Sequence, residues 1–128
     1  MSIKSFHLHL VSDATGETVI TVARGAVAQF NDVEAIEHLW SLVRSKDQLK
    51  RVLASVAANP GVVMFTLVDQ ELRQALQGGC RELDIPCIPL LDMVIATLSQ
   101  YLGVKSQNLP GSQHVMDEHY LGRIDAMN

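Results

Sequence analysis

Two spacings of hydrophobic residues alternate along the chain. Phe6, Leu8, Leu10 and Val11 form a short apolar run that stops at the polar stretch Ser12-Asp13-Ala14-Thr15-Gly16-Glu17-Thr18. Val19, Ile20, Ala23, Ala26, Val27 and Phe30 then recur at helical spacing. The segment predicts a strand, a glycine-containing turn and a helix. His7 and His9 fall on one face of that strand, and Phe6, Leu8 and Leu10 on the other.

The same succession follows three more times. Ala35–Val43 predicts a second strand. Ser45, with Gln48 three residues on, reads as a capping box. It opens a helix whose stripe is Leu49, Val52, Leu53, Val56 and Ala57, ended by Asn59-Pro60-Gly61. Val62–Val68 is apolar almost throughout, as suits a central parallel strand covered on both faces. Asp69 is placed to cap a third helix (Leu72, Ala75, Leu76, Leu83), which Gly78-Gly79 weakens toward its end. Ile85–Leu90 contains Pro86 and Pro89, which remove ladder donors and put this fourth strand at a sheet edge. A fourth helix, Asp92–Leu102, stops at Gly103.

This alternation predicts an α/β fold: a four-stranded parallel sheet in the order 2-1-3-4, with helices on both faces. The switch point then lies between the first and third strands, beside Ser12–Gly16 and Thr66–Asp69, where open α/β sheets bind ligands. Residues 1–103 make up this domain. Residues 104–128 differ in kind: a polar loop with a Pro110-Gly111 turn, then His114–Met127, predicted as a last helix. Its apolar face (Met116, Tyr120, Ile124, Met127) is a candidate exposed patch, expected to be buried by self-association in a homo-oligomer or left disordered.

Composition narrows the class of function. A chain of 128 residues, 48% of them hydrophobic, builds a core and is not disordered. A net charge of −4 with no long basic run argues against a nucleic-acid partner. No apolar stretch reaches membrane-spanning length, and polar residues interrupt any signal-peptide core, so a cytoplasmic location is expected. Cys80 and Cys87 fit buried thiols in a reducing compartment. The five histidines have no metal-ligand spacing. No metal is expected, and His7 and His9 are expected to pack or hydrogen-bond under a helix.

Candidate chemistry concentrates in the first turn. Ser12, Asp13, Thr15, Gly16 and Thr18 offer hydroxyls, a flexible backbone and helix-terminal N–H groups, a setting for a phosphate or other anion. Arg44 and Lys46, just beyond the second strand at the same end of the sheet, supply positive charge. The competing reading is structural: Ser12 or Asp13 only caps the helix, and Arg44 and Lys46 are solvated. Asp13 and Glu17 suit the helix dipole and would repel a phosphate without a cationic partner. No G-x-G-x-x-G or G-x-x-x-x-G-K-[ST] stretch occurs, and none of the eight glycines precedes a lysine. No nucleotide cradle is legible in this chain.

The segment Val11–Thr18, with Val22-Ala23-Arg24 and Ala28-Gln29-Phe30, resembles the opening of the pyruvate, phosphate dikinase regulatory proteins. That family includes the phosphoenolpyruvate synthase regulatory proteins. The resemblance continues through Val43-Arg44, Pro86-Cys87, Leu91-Asp92, Pro110-Gly111, His114, Asp117, Tyr120 and Arg123-Ile124-Asp125-Ala126. It implies a bifunctional enzyme. One activity is an ADP-dependent kinase that inactivates the dikinase by phosphorylating a threonine beside its catalytic histidine. The other removes that phosphate with inorganic phosphate, releasing pyrophosphate. The family's P-loop lies C-terminal to the Arg-Ile-x-Ala region. The resemblance therefore implies an N-terminal domain whose 104–128 segment is a loop and linker helix leading toward the P-loop kinase half, with ADP and phosphate as substrates of the longer protein and no cofactor in this chain. A docking module, a regulator of phosphoenolpyruvate synthase and a standalone phosphate-sensing domain are the alternatives.

Overall fold

The computed structural model describes residues 3–107. Alternating side chains on the first strand segregate two apolar layers, and the helices cover them. The elements are β1 (Lys4–Val11), α1 (Glu17–Val27), β2 (Val33–Trp40), α2 (Lys46–Ala58), β3 (Gly61–Phe65), α3 (Gln70–Glu82), β4 (Cys87–Pro89) and α4 (Asp92–Leu102). The four strands form one sheet in the order β2-β1-β3-β4, every pair parallel. The expected α/β fold and strand order are therefore observed, and the proline-bearing fourth strand lies at the edge.

Leu8 and Leu10 point to one face, where they pack with Val19 and Ala23 of α1. Val11, Val63 and Phe65 point to the other, where they meet Leu49, Val52 and Val56 of α2 and Leu72, Leu76 and Cys80 of α3. α2 starts where expected, with the Ser45 hydroxyl accepting from the Gln48 N–H. Gln48 departs from the reciprocal capping box: its side chain accepts from the Arg44 N–H and donates to the Leu42 carbonyl. Asp69 caps α3 through the Leu72 N–H. Gly78-Gly79 does not shorten α3, which runs on to Glu82. A Cβ at Gly79 would lie 2.6 Å from Leu53 Cδ1, so this glycine lets α3 approach α2.

Three boundaries differ from the sequence pattern. The second strand starts two residues earlier and ends at Trp40, because Leu42 takes a left-handed φ of 56° and turns the chain. The third ends at Phe65, and Thr66–Val68 leave the ladder to join the crest above it. The fourth shrinks to Cys87–Pro89. No residue of α4 is buried. No helix among the described residues is long and apolar enough to cross a membrane. The expected helix at His114–Met127, and most of the expected 104–128 segment, lie outside the described residues.

Candidate functional site: the crest above β1 and β3

β1 and β3 are neighbours, but the chain leaves them for opposite faces of the sheet, to α1 and to α3. The crevice this opens at their carboxyl ends is filled by Ser12, Asp13 and Thr66, all buried. Ser12 is tied across to the chain beyond β2. Its N–H donates to the Trp40 carbonyl and its carbonyl accepts from the Val43 N–H, both at 2.9 Å. Its hydroxyl accepts from the Ala14 N–H at 3.0 Å. Asp13 is 1% exposed, and its Oδ2 accepts from the Val68 N–H at 3.2 Å. Neither residue takes the capping position of α1, contrary to the structural reading of the sequence, because both are drawn into long-range bonds.

That position belongs to Gly16, at φ 95° and ψ 2°, a left-handed conformation with no side-chain cap on the helix. Its carbonyl accepts the first intrahelical bond, from Ile20. Gly16 itself offers no side-chain acceptor to the first-turn N–H groups, and a helix start of this kind is suited to an anion. Thr15 is exposed, Thr18 half-buried, and Glu17 brings an acidic group to the same turn.

The two expected cations separate. Arg44 is exposed, and its Nε donates to the Asp13 carbonyl at 2.9 Å, so its guanidinium is held against the turn. Lys46 Nζ sits 3.6 Å from Glu71 Oε2, with both side chains largely exposed, and is drawn toward α3. The structure therefore brings Ser12, Asp13, Gly16 and Arg44 together at one turn and leaves Lys46 outside it.

A further cation, not singled out by the sequence, borders the β3 side of the crest. Arg73 lies 5.6 Å over the Phe65 ring, donates to the Leu67 carbonyl at 3.2 Å and pairs with Asp92 at the start of α4. Its sequence signal is slight: a place in the first turn of α3, four residues after the cap Asp69. Its charge is already matched by Asp92, which distinguishes it from Arg44.

A second polar cluster lies on the α2 face of the sheet. His9 pairs in register with His38 and stacks on it, ring centroids 4.5 Å apart. His7 Nδ1 is 2.9 Å from His38 Nε2. His9 is fully buried, and its Nε2 lies 2.9 Å from the Asn59 carbonyl, which fixes the proton on that nitrogen. Burial is the main cause that lowers its pKa, helped by His38 and His7 and opposed by the Asn59 carbonyl. The expectation of histidines bonded beneath a helix is met by His9, at the end of α2. Among the described residues, no group of three or more His, Cys, Asp or Glu side chains is arranged to hold a metal ion. Cys80 is buried, Cys87 half-buried, and both are free.

Fold and crest together define an open parallel α/β domain with a glycine-led helix start at its switch point. The chain matches the model of the kinase/pyrophosphorylase family over residues 8–128, and it belongs to that family. It is 55% identical over 125 residues to a protein of Paramagnetospirillum magneticum, 98% of this chain and 40% of that protein. It is 49% identical over 128 residues to one of Rhodospirillum rubrum, all of this chain and 46% of that one. A Caulobacter vibrioides protein is 50% identical over 123 residues, 96% of this chain and 39% of its own length. All three bear the name "Putative pyruvate, phosphate dikinase regulatory protein". The chain thus spans less than half the length of these relatives.

Proposed function

We propose that this chain is the N-terminal α/β part of a regulator of pyruvate, phosphate dikinase, and that its crest holds a phosphate group. In the longer protein the reactions are ADP-dependent phosphorylation of a threonine on the dikinase and removal of that phosphate by inorganic phosphate. The names of the relatives support the target. The observation that carries the crest reading is the Asp13–Arg44 bond, which holds a guanidinium beside a glycine-led helix start. That guanidinium is the cationic partner that Asp13 and Glu17 demand if an anion is to bind.

The ligand of this crest is inorganic phosphate or a phosphorylated segment of the target. The chain has no lysine-bearing glycine loop for a nucleotide, and by itself it is inactive as a kinase. Incubating the chain with ADP and either the dikinase or phosphoenolpyruvate synthase tests this. The expected result is association with the dikinase, weaker or no association with the synthase, and no phosphate transfer. Phosphate transfer by this chain alone, or no association with the dikinase, contradicts it.

A further inference from the structure

Two thiols that the crest does not use meet where α3 turns into β4. Asp84 takes a left-handed φ of 57° just past the helix. Its N–H donates to the Arg81 carbonyl at 3.1 Å, and the Ile85 N–H donates to the Cys80 carbonyl at 2.9 Å. These two bonds make a Schellman turn, which reverses the chain within a few residues. β4 then starts at Cys87, in register with Val63 of β3. Residues paired in register share a face of the sheet, and Val63 faces the core in which Cys80 is buried. Cys87 packs against that same core, and its thiol donates a hydrogen bond to the Cys80 sulfur. Cys80 is fully buried. Cys87 is half-buried and lines a cavity of about 410 Å³ with Gln77, Arg81, Asp84, Ile85 and Pro86.

We propose that Cys80 and Cys87 are a redox pair, which closes to an intramolecular disulfide by exchange with a low-molecular-weight disulfide admitted through this cavity. Cys87 is the attacking sulfur, because it reaches the cavity, and the buried Cys80 is the resolving one. The Cys87 sulfur bonds to one sulfur of the incoming disulfide, whose S–S bond breaks and whose other sulfur leaves as a thiolate. Cys80 then attacks the Cys87 sulfur and expels the second thiolate. Each released thiolate takes one of the pair's two protons. The pair gives up two electrons, and the reagent leaves as two thiols. The hydrogen bond between the sulfurs holds the Cys80 thiol below its usual range and pushes Cys87 above it. The first ionisation of the pair is thereby eased, and a proton shift along the bond puts the charge on Cys87 for the attack. Arg81 on the cavity wall favours a reagent that carries carboxylates. The chain has only these two cysteines, so no third thiol competes for the pairing. In a reducing pool the pair stays open, and it closes as the disulfide fraction rises. Closure fastens the short edge strand β4 to α3. The inference is independent of what the crest binds.

The test treats the full 128-residue chain, folded and fully reduced, with oxidised glutathione and follows intact mass and free thiols. The expected product is a single chain lighter by two hydrogens, with both thiols lost and both restored by dithiothreitol. Cys80→Ala is expected to stop at a glutathione adduct on Cys87. Cys87→Ala is expected to stay unmodified while folded, because Cys80 is buried. Phenylarsine oxide bridges neighbouring thiols, and on the unsubstituted chain it is expected to protect both from alkylation, a readout that needs no variant to fold. Four results overturn the proposal. They are no reaction of the folded chain with oxidised glutathione, a glutathione adduct that persists on the unsubstituted chain, a disulfide formed only between chains, and thiols that phenylarsine oxide leaves open to alkylation. Cys87→Ala reacting as fast as Cys80→Ala overturns the assignment of Cys87 as the attacking sulfur.

Discussion

The Nε–H of Arg44 donates to the backbone carbonyl of Asp13 at 2.9 Å, joining the loop after β2 to the turn after β1. The anchor is a neutral carbonyl, and among the described residues Arg44 has no carboxylate partner. Its charge stays available to a ligand, whereas Arg73 is committed to Asp92 and Lys46 leans toward Glu71. Arg44→Ala is expected to weaken phosphate binding about 10–100-fold, the equivalent of one charge-assisted hydrogen bond of ~1.5–3 kcal/mol. Arg44→Lys restores only part of it, because an ammonium cannot hold the Asp13 carbonyl and fork onto an anion together. Calorimetric titration with phosphate checks both.

Gly16 and Gly25 make a matched pair. Gly16 has φ 95°, and a Cβ there would meet Leu39 Cδ1 at 2.9 Å. Gly16→Ala is expected to destabilise the fold by about 1–2 kcal/mol, the cost of a left-handed non-glycine residue. Gly25 lies within α1, and a methyl added there would find nothing within 4 Å. Gly25→Ala is therefore expected to stabilise by about 0.4–1 kcal/mol. Urea denaturation of the two variants reads opposite signs.

His9 makes stability depend on pH. Its folded pKa is lowered, chiefly by burial, so below about pH 6.5 the unfolded chain takes up a proton that the folded chain refuses. Stability is full above the unfolded pKa and falls as the pH drops toward the folded one, by at most ~1.4 kcal/mol per pH unit from this group. His9→Gln removes the titrating ring and is expected to flatten that slope while lowering stability at neutral pH. Denaturation curves at a series of pH values on either side of the unfolded pKa check the slope.

The caps give a further check on the fold. Ser45→Ala and Asp69→Ala each remove an acceptor for a first-turn N–H, of α2 and of α3. Each is expected to cost about 0.5–2 kcal/mol. Ser12→Ala, although Ser12 precedes α1, is expected to act through the turn at Ala14 and not through helix content, since its hydroxyl accepts from the Ala14 N–H. Circular dichroism separates these effects.

The sheet was legible because its signals are local. Pro86 and Pro89 mark an edge, Val62–Phe65 is apolar enough to be central, and Ser45 and Asp69 stand directly before their helices. What the pattern missed depends on distant neighbours. Leu42 reads as strand by its side chain, yet its backbone turns to bond Ala14. Ser12 and Asp13 look like caps until Val43 and Val68 claim them. His38 joins His7 and His9 only through the β1–β2 register. Arg73 acquires its role from Phe65 and Asp92, which only the folded chain brings to it.

The most direct test of the crest is an amide and arginine side-chain NMR titration of the chain with phosphate, pyrophosphate and ADP. Saturable shifts at Gly16–Val19 and at Arg44 Nε–H with phosphate and pyrophosphate, abolished by Arg44→Ala, are the expected result. ADP is expected to add nothing beyond what its phosphates do there. No shift with any of the three, or shifts that survive Arg44→Ala, would contradict a phosphate site at this turn.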